Sequence, residues 1–450
     1  MYEMGSNSAV EEDETQHIIQ IHDVNTDRLA SMHKKIAEPP RLLSASAGRN
    51  SCCIFRVPQS LVDVNGKSYQ PQIVSIGPYH RGQACLKMIE EHKWRYLGSL
   101  LSRIQQNRGL GLEHLFKAVK PLELKSRECY SEILHLSSDE FIEMMVLDGC
   151  FIIELFRKVY GKVVQFEAYD PLVTMSWILP FFWRDFLRVE NQIPYFVLES
   201  LFDVSKLPAE DSGPSLSILA LEFFNYGIQR PDEEISKQSD LKGRHLLDLV
   251  RSSFIPSGLD ESEKINTPTH IIYSVSKLRK SGIKFKLIKA ESFLVINFRR
   301  GVIEMPSITI DDFMSSFLTN CVAYEQCQSC SSKHFTTYAT LLDYIVNTSK
   351  DVEYLSDNNI IENYFGTDAE LARFMNNLGK DVAFDINRCY LSKLFQDVHD
   401  YYRSSWHVQW ASFKYTYFSS PWSFISALAG LIVLVLTMAQ TYYTIYSVYA

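Results

Sequence analysis

The chain has 450 residues, with 45 lysines and arginines against 53 aspartates and glutamates, for a net charge of −8. That balance argues against a surface built to track nucleic-acid phosphates, which shows as a basic excess. Its nine cysteines follow no regular spacing, as expected of thiols in a reducing compartment rather than of a disulfide framework.

Residues 1–50 read as a disordered acidic tail. They include Glu11 to Glu14 and Pro39-Pro40 and hold no apolar run long enough for a signal-peptide core. Residues 51–414 read as one large domain, mainly α with a small β component (α+β). Cys53 to Pro58 and Gln72 to Ile76 are short, rich in β-branched residues and bounded by turn signals, so brief strands or extended segments are predicted there. Leu86 to Gln106 carries a helical stripe of Leu86, Ile89, Trp94, Leu97 and Leu101. Ser138 to Tyr160 is a second helix, with Asp139 as its expected cap. Trp177 to Phe202 is strongly apolar and broken by Pro180 and Pro194, which predicts two buried helices meeting near the prolines. Loop-rich insertions follow near 205–268, with a short helix over His245 to Val250. Phe293 to Phe298 and Val302 to Met305 predict a hairpin around Arg299-Arg300-Gly301. Helical patterning then resumes from Asp311, itself a cap candidate, to Tyr402.

The end of the chain differs from all of this. From Trp422 to Ala439 every residue is apolar, small or uncharged, and such a helix reaches roughly 27 Å, close to the hydrocarbon thickness of a bilayer. A single transmembrane helix is expected over 420–443, with a short tail at 444–450. The anchor would be carried by Trp422, Phe424, Leu428, Gly430, Leu431, Val433, Leu434 and Leu436. Aromatic residues flank it on both sides, from Tyr415 to Trp422 and from Tyr442 to Tyr449, as at membrane interfaces. Arg403 and Lys414 precede the span and nothing basic follows it. The positive-inside bias therefore places the large domain in the cytosol, on the plasma membrane or the endoplasmic reticulum. The competing reading is a buried core helix of a soluble domain. Ser423, Ser426, Ala427 and Gly430 share one helical face, which would allow a homodimer through the anchor or simply face lipid.

Several motifs carry a family resemblance. Val57-Pro58, Tyr69 to Pro71, Val74 to His80 and Met88 to Arg95 are followed in order by Asp148 to Phe151, Glu190 to Pro194, His245 to Asp248 and Gly282 to Phe285. Asn320, Ala323 to Gln326, Asp351-Val352 and Pro421-Trp422 complete the series. Together these resemble the plant family known as domain of unknown function 247, over nearly everything except the acidic tail. The resemblance implies a membrane-anchored plant protein with a helical domain and one C-terminal transmembrane helix. Some grass members of the family are linked to self-incompatibility, so it also implies self/non-self recognition in reproduction rather than metabolism, and it supplies no catalytic residue. Arg188 and Asn297 stand where relatives usually carry an apolar and an acidic residue.

The sequence holds no P-loop, no G-x-S-x-G elbow and no H-E-x-x-H. Its best polar cluster is Ser75, Tyr79 and His80 with Glu90, His92 and Lys93, in which a histidine beside a carboxylate would serve as general acid or base. The plainer reading makes Glu90 and Lys93 a pair three residues apart on a helix. A second cluster, Glu190, Asn191 and Gln192, sits inside an apolar stretch. It would either bind a ligand or tie up backbone opened by Pro194. Cys321, Cys327, Cys330 and His334 are ligand types suited to zinc but lack a matching second pair, so neither a metal nor a cofactor is expected. Asn347-Thr348-Ser349 is a glycosylation sequon that would report a lumenal or external domain. Three functions follow: a cytosol-facing recognition or signalling protein with an unknown protein partner and no nucleic acid, a membrane-tethered hydrolase with a His/carboxylate site, or an extracellular receptor-like domain.

Overall fold

The structure is a computed structural model that describes residues 25–38, 43–44, 46–162, 164–211, 213–259, 272–328, 332–387, 389–403 and 421–449. The acidic run at 11–14, Pro39-Pro40, Cys330, Lys414 and the aromatic residues at 415–418 lie outside them. The chain divides into a first unit, Met1–Leu42, and a second, Leu43–Ala450. Within the first, Thr26–Ala37 is a helix, α1, capped by the Asn25 side chain and exposed throughout except at its margin. Within residues 1–50, expected as a disordered tail, this described segment is helical. The large unit also starts earlier than expected, where Leu43 bridges to Glu132.

Short helix α2 (Gln59–Asn65) opens the large unit, followed by α3 (Lys87–Arg108), α4 (Leu112–Val119), α5 (Glu123–Arg127) and α6 (Ser138–Tyr160). Ser137, not Asp139, caps α6. It forms a reciprocal box with Glu140, because the hydroxyl at the true cap position reaches the N–H three residues on. Nearly every side chain of α6 is buried, so this helix is the centre of the first half and α3, α4, α9 and α10 pack around it. Its four buried charges each meet an opposite charge, two of them from α3. Asp148 meets Lys93, Glu154 meets Arg103, Arg157 meets Glu210, and Lys158 meets Asp170. Buried pairs of this kind add little net stability, but a wrong arrangement would leave charges uncompensated. They therefore specify which elements may surround α6.

Then come α7 (Pro171–Thr174), α8 (Ile178–Asp185), α9 (Tyr195–Ser205), α10 (Leu216–Ile228), α11 (Asp232–Ser236), α12 (Leu246–Ser252) and α13 (Val275–Lys280). Pro180 falls in the first turn of α8 and Pro194 just before α9, both places where a missing N–H costs nothing. Among the described residues the loop-rich region thus holds three α-helices, α10, α11 and α12, the last over the short helix predicted at His245 to Val250, and its 260–271 stretch lies outside the described residues.

The β component is two small sheets. Strands β1 (Lys284–Leu287), β2 (Asn297–Arg299) and β3 (Val302–Met305) lie in the order β1-β3-β2, with β1 parallel and β2 antiparallel to β3. Arg300 and Gly301 both have positive φ, 50° and 78°, as a tight hairpin turn demands. β4 (Ile308–Ile310) pairs in parallel with β5 (Ile361–Asn363). Between and after them run α14 (Asp312–Cys327), α15 (His334–Ile345), α16 (Ser349–Asp357), α17 (Asp368–Leu378) and α18 (Ser392–Arg403). α14 is the buried centre of this half, and Asp311 caps it through the Met314 N–H. The predicted hairpin is present, while β1, β4 and β5 were not anticipated. Cys53 to Pro58 contributes only an isolated bridge from Ile54 to Tyr130, and Gln72 to Ile76 pairs with no strand.

The terminal helix, α19, spans Pro421–Tyr449, and its apolar stretch covers Phe424–Ile445, 22 residues. That length reaches about 33 Å, enough to cross a bilayer. Leu431, Val433 and Leu436 are 57, 62 and 63% exposed, so the buried core-helix reading fails. The architecture is a mainly helical domain with a small β component and one transmembrane helix. The helix runs on through most of the expected 444–450 tail.

Candidate functional site

The two polar clusters separated in the sequence by about a hundred residues form one network. Its frame is the extended segment 72–77, which runs beside the turn joining α8 to α9. Having no partner strand, that segment leaves its N–H groups to side chains, since a buried N–H must find an acceptor. Asp185, the last residue of α8, accepts from the N–H groups of Gln72, Ile73 and Val74 at 2.9, 2.8 and 3.1 Å. Asn191 accepts from Ile76 N–H at 2.7 Å and donates to the Val74 and Asp185 carbonyls. Asp148 accepts from Gly77 N–H at 2.8 Å. Gly77 itself has φ 75°, and a Cβ there would sit 2.5 Å from the Gln192 carbonyl oxygen, so only glycine fits.

Lys93 sits beneath this segment. It donates to Asp148 at 2.6 Å, to Glu90 at 2.5 Å and to the Ser75 carbonyl. Burial raises the Glu90 pKa above its ordinary value and Asp148 adds to this, against the pull of Lys93. The Gln192 amide donates to the Phe186 and Arg188 carbonyls at 2.7 and 2.8 Å and accepts from Leu247 N–H. Arg188 donates to Asp185 and to the Lys67 carbonyl, which gives this departure from the family pattern a local partner. Asn320 of α14 accepts from Val189 N–H and donates to the Ser68 carbonyl, joining the second half of the fold to the same turn.

Glu190 is buried beside the partly exposed Arg56. One oxygen accepts from Val57 N–H, and the other accepts from Arg56 at 2.9 Å and lies 3.0 Å from His80 Nε2. Burial opposes its charge, but bonds from His80, the Val57 N–H and Arg56 outweigh that and hold its pKa below the usual carboxylate value. The Tyr79 hydroxyl sits 3.2 Å from Ser131 Oγ and accepts from Glu132 N–H. Arg56 lies over the Tyr79 ring. His92 stands apart from the network, half-buried on α3, where burial and then Arg95 lower its pKa.

The metal candidates do not converge. Cys321 is fully buried on α14, while His334 Nε2 bonds the Leu259 carbonyl. Cys330 is outside the described residues, and among those described no three His, Cys, Asp or Glu side chains are grouped to hold a metal ion.

A feature the sequence reading passed over is a cleft of about 1020 Å³ between the end of α10, the segment after β1 and strand β4. Phe254, Phe293 and Met314 line its apolar part, with Glu234, Glu291, Asp311 and Glu362 around it. Arg230 also lines it, stacked on Phe254 at 4.2 Å and bonded to Ser253; burial lowers its pKa to about 10. The signal in the sequence was Arg230-Pro231 within a charged, loop-like stretch. None of the residues of the polar network lines this cleft or the smaller one of about 420 Å³ beside α9.

Asp148, Glu190, Asn191, Gln192 and Asn320 of the network belong to the motifs that carry the resemblance, whereas Asp185 does not. Residues 54–436 match DUF247, described as a plant protein of unknown function. The chain belongs to the DUF247 family. It is 38% identical to UPF0481 protein At3g47200 of Arabidopsis thaliana, over 90% of this chain and 88% of that protein. It is 24% identical to the putative UPF0481 protein At3g02645 of the same plant, over 88% of this chain and 90% of that one. No solved structure matches. As a DUF247 protein with a membrane-spanning helix, the chain carries its most distinctive polar residues as internal ties.

Proposed function

We propose that this DUF247 protein is a non-catalytic recognition module, held at a membrane by α19 with its large domain in the cytosol. The observation that carries the reading is the use of the motif side chains. Asp148, Asn191 and Gln192, together with Asp185 beside them, are spent on backbone N–H and C=O groups and lie away from either cleft. A general acid or base needs a reacting group within reach, and these are enclosed by their own chain. The large cleft is the candidate recognition surface, apolar inside with carboxylates around it, and suits a partner segment bearing basic residues.

A hydrolase rests on the His80–Glu190 contact alone. That histidine is buried, and its other ring nitrogen meets the Gln83 amide at 2.9 Å.

Proximity labelling in plant cells tests the proposal, comparing the full chain, a chain ending at Lys414, and a full chain carrying Glu234→Lys with Glu362→Lys. Specific neighbours lost in both altered chains support tethered recognition through the cleft. Neighbours unchanged by truncation overturn it. Glycan on Asn347 would reverse the orientation.

A further inference from the structure

Outside the two clefts, the most uneven distribution of charge lies over α13, β1 and the β2–β3 turn. Between Val275 and Arg300 the chain has eight lysines and arginines against one carboxylate, Glu291, in a protein whose net charge is −8. All eight basic residues are exposed. Six of them, Lys277, Lys280, Lys284, Lys286, Arg299 and Arg300, lie on α13, β1, the end of β2 and the β2–β3 turn. The sheet register explains part of the grouping. Lys284, Val302 and Arg299 are directly paired across the three strands, so their side chains leave the same side of the sheet. Lys286 follows on that side two residues along. Phe285, Ile303 and Phe298 turn to the other side, where Phe285 and Ile303 are buried.

The last described turn of the domain before the membrane helix meets the same sheet at the β2–β3 turn and on its Phe298 side. α18 packs on β2 and ends at Arg403. A Cβ on Gly301 would meet the Tyr401 ring at 2.6 Å, and Phe298 contacts the same ring at 5.8 Å. From the other side Tyr273 contacts Tyr402 at 4.5 Å, with Lys277 above Tyr273. The basic turn and the basic helix therefore flank Tyr401 and Tyr402. Residues 404–420 join Arg403 to α19, and at full extension they reach no more than about 60 Å, so the domain remains within that distance of the bilayer.

The carboxylates on the same elements are Glu304, in register with Lys286, and Asp397 and Asp400 of α18. Among the described residues, the six basic side chains form no ion pair with these or any other carboxylate. Charges buried in the core are partnered, while these are left for something outside the chain.

We propose that this face lies against the anionic headgroups of the bilayer that holds α19. The domain then has two attachments, an apolar one through the helix and an electrostatic one through the sheet face. Each lysine or arginine near such a surface adds to the attraction, which fades within a Debye length and weakens with salt. The cytoplasmic leaflet is the anionic one, so the contact would also favour the cytosolic orientation. The proposal rests on the membrane-anchored reading above.

The test uses the full chain reconstituted in vesicles of phosphatidylcholine alone and of phosphatidylcholine with phosphatidylserine. Flotation reports the anchor, and amide hydrogen exchange over 275–303 reports the face. Expected is flotation in both lipids, with exchange over that segment about fivefold or more slower in the anionic vesicles and restored by raised salt. A full chain with Lys284→Glu, Lys286→Glu, Arg299→Glu and Arg300→Glu should float equally and lose the slowing. If that variant misfolds, the lipid and salt arms on the native chain still decide. Equal exchange in the two lipids with flotation intact overturns the proposal while leaving the anchor standing. Failure to float overturns the anchor reading first, and this one with it. Slower exchange caused by an added oligonucleotide, but not by phosphatidylserine, assigns the face to nucleic acid and also overturns it.

Discussion

The turn at Asp185 to Gln192 and the sheet face at Lys284 to Arg300 are both crowded with polar side chains, and they use them in opposite ways. In the turn each group is buried and bonded to backbone. On the sheet face the charges are exposed and unpaired with carboxylates. A distinctive polar motif is therefore no guide to a working surface by itself. In water a charge is nearly indifferent to the fold, whereas in the core the same charge determines which arrangement is tolerated.

Breaking the buried side should give the largest effect. Asp185→Ala removes the acceptor for Gln72, Ile73 and Val74 and leaves Arg188 without its carboxylate. A loss of roughly 3–5 kcal/mol is expected, as for one partner removed from a buried pair. Urea unfolding of the detergent-solubilised full chain measures it. A change below about 1 kcal/mol would mean that water replaces the carboxylate and that the turn is less closed than described.

The next effect depends on pH. His245 caps α12, its Nδ1 accepting from Asp248 N–H and its Nε2 lying 3.0 Å from the Cys53 carbonyl. Protonation would turn that acceptor nitrogen into a donor facing an N–H, and burial lowers the pKa from 6.5 to about 4. The unfolded chain takes up the proton first as pH falls. This contribution is therefore intact above about 6.5 and lost progressively down to about 4, by at most about 3 kcal/mol. Glu190, with its lowered pKa, loses its share only in more acid solution. His245→Gln should flatten the upper window and leave the lower one; an unchanged profile would assign the dependence to another group.

Much of this arrangement was legible before the structure. Helical periodicity gave α3, α6 and the pair around Pro194, because apolar spacing is a local signal. The apolar end gave α19 by length and composition. The pairing of Glu190 with His80, and of Asn191 with Ile76, was not legible, since nothing local relates residues more than a hundred positions apart. Gln72 to Ile76 reads equally as a strand or an extended segment, because the two share a composition. Only the tertiary fold decides whether its N–H groups meet a ladder or side chains. The parallel pairs β1–β3 and β4–β5 were missed for the same reason: three- and four-residue strands are too short to show a period. The cleft is assembled from five separate stretches of chain, and only one of them, at Arg230-Pro231, carries a local signal.

Gly77→Ala sharpens the comparison at smaller scale. It changes no polar group, yet places a methyl against the Gln192 carbonyl at a positive φ. A cost of about 1–3 kcal/mol is expected from strain alone. Unfolding in urea should show it with no change in the pH profile set by His245. A neutral result would show that the segment can move away from the turn, and with it that the ties are looser than their distances imply.

The smallest effect belongs to the exposed side, and there a near-null is informative. Lys284→Glu with Lys286→Glu should alter stability in detergent by no more than about 0.5 kcal/mol, because these groups are exposed and form no ion pair among the described residues. A larger loss would mean that the charges serve the fold, which removes the reason to look for a partner outside it. With stability unchanged, any effect of the same substitutions on lipid-dependent exchange has to arise at the membrane, since the folded domain is then the same object on both sides of the comparison.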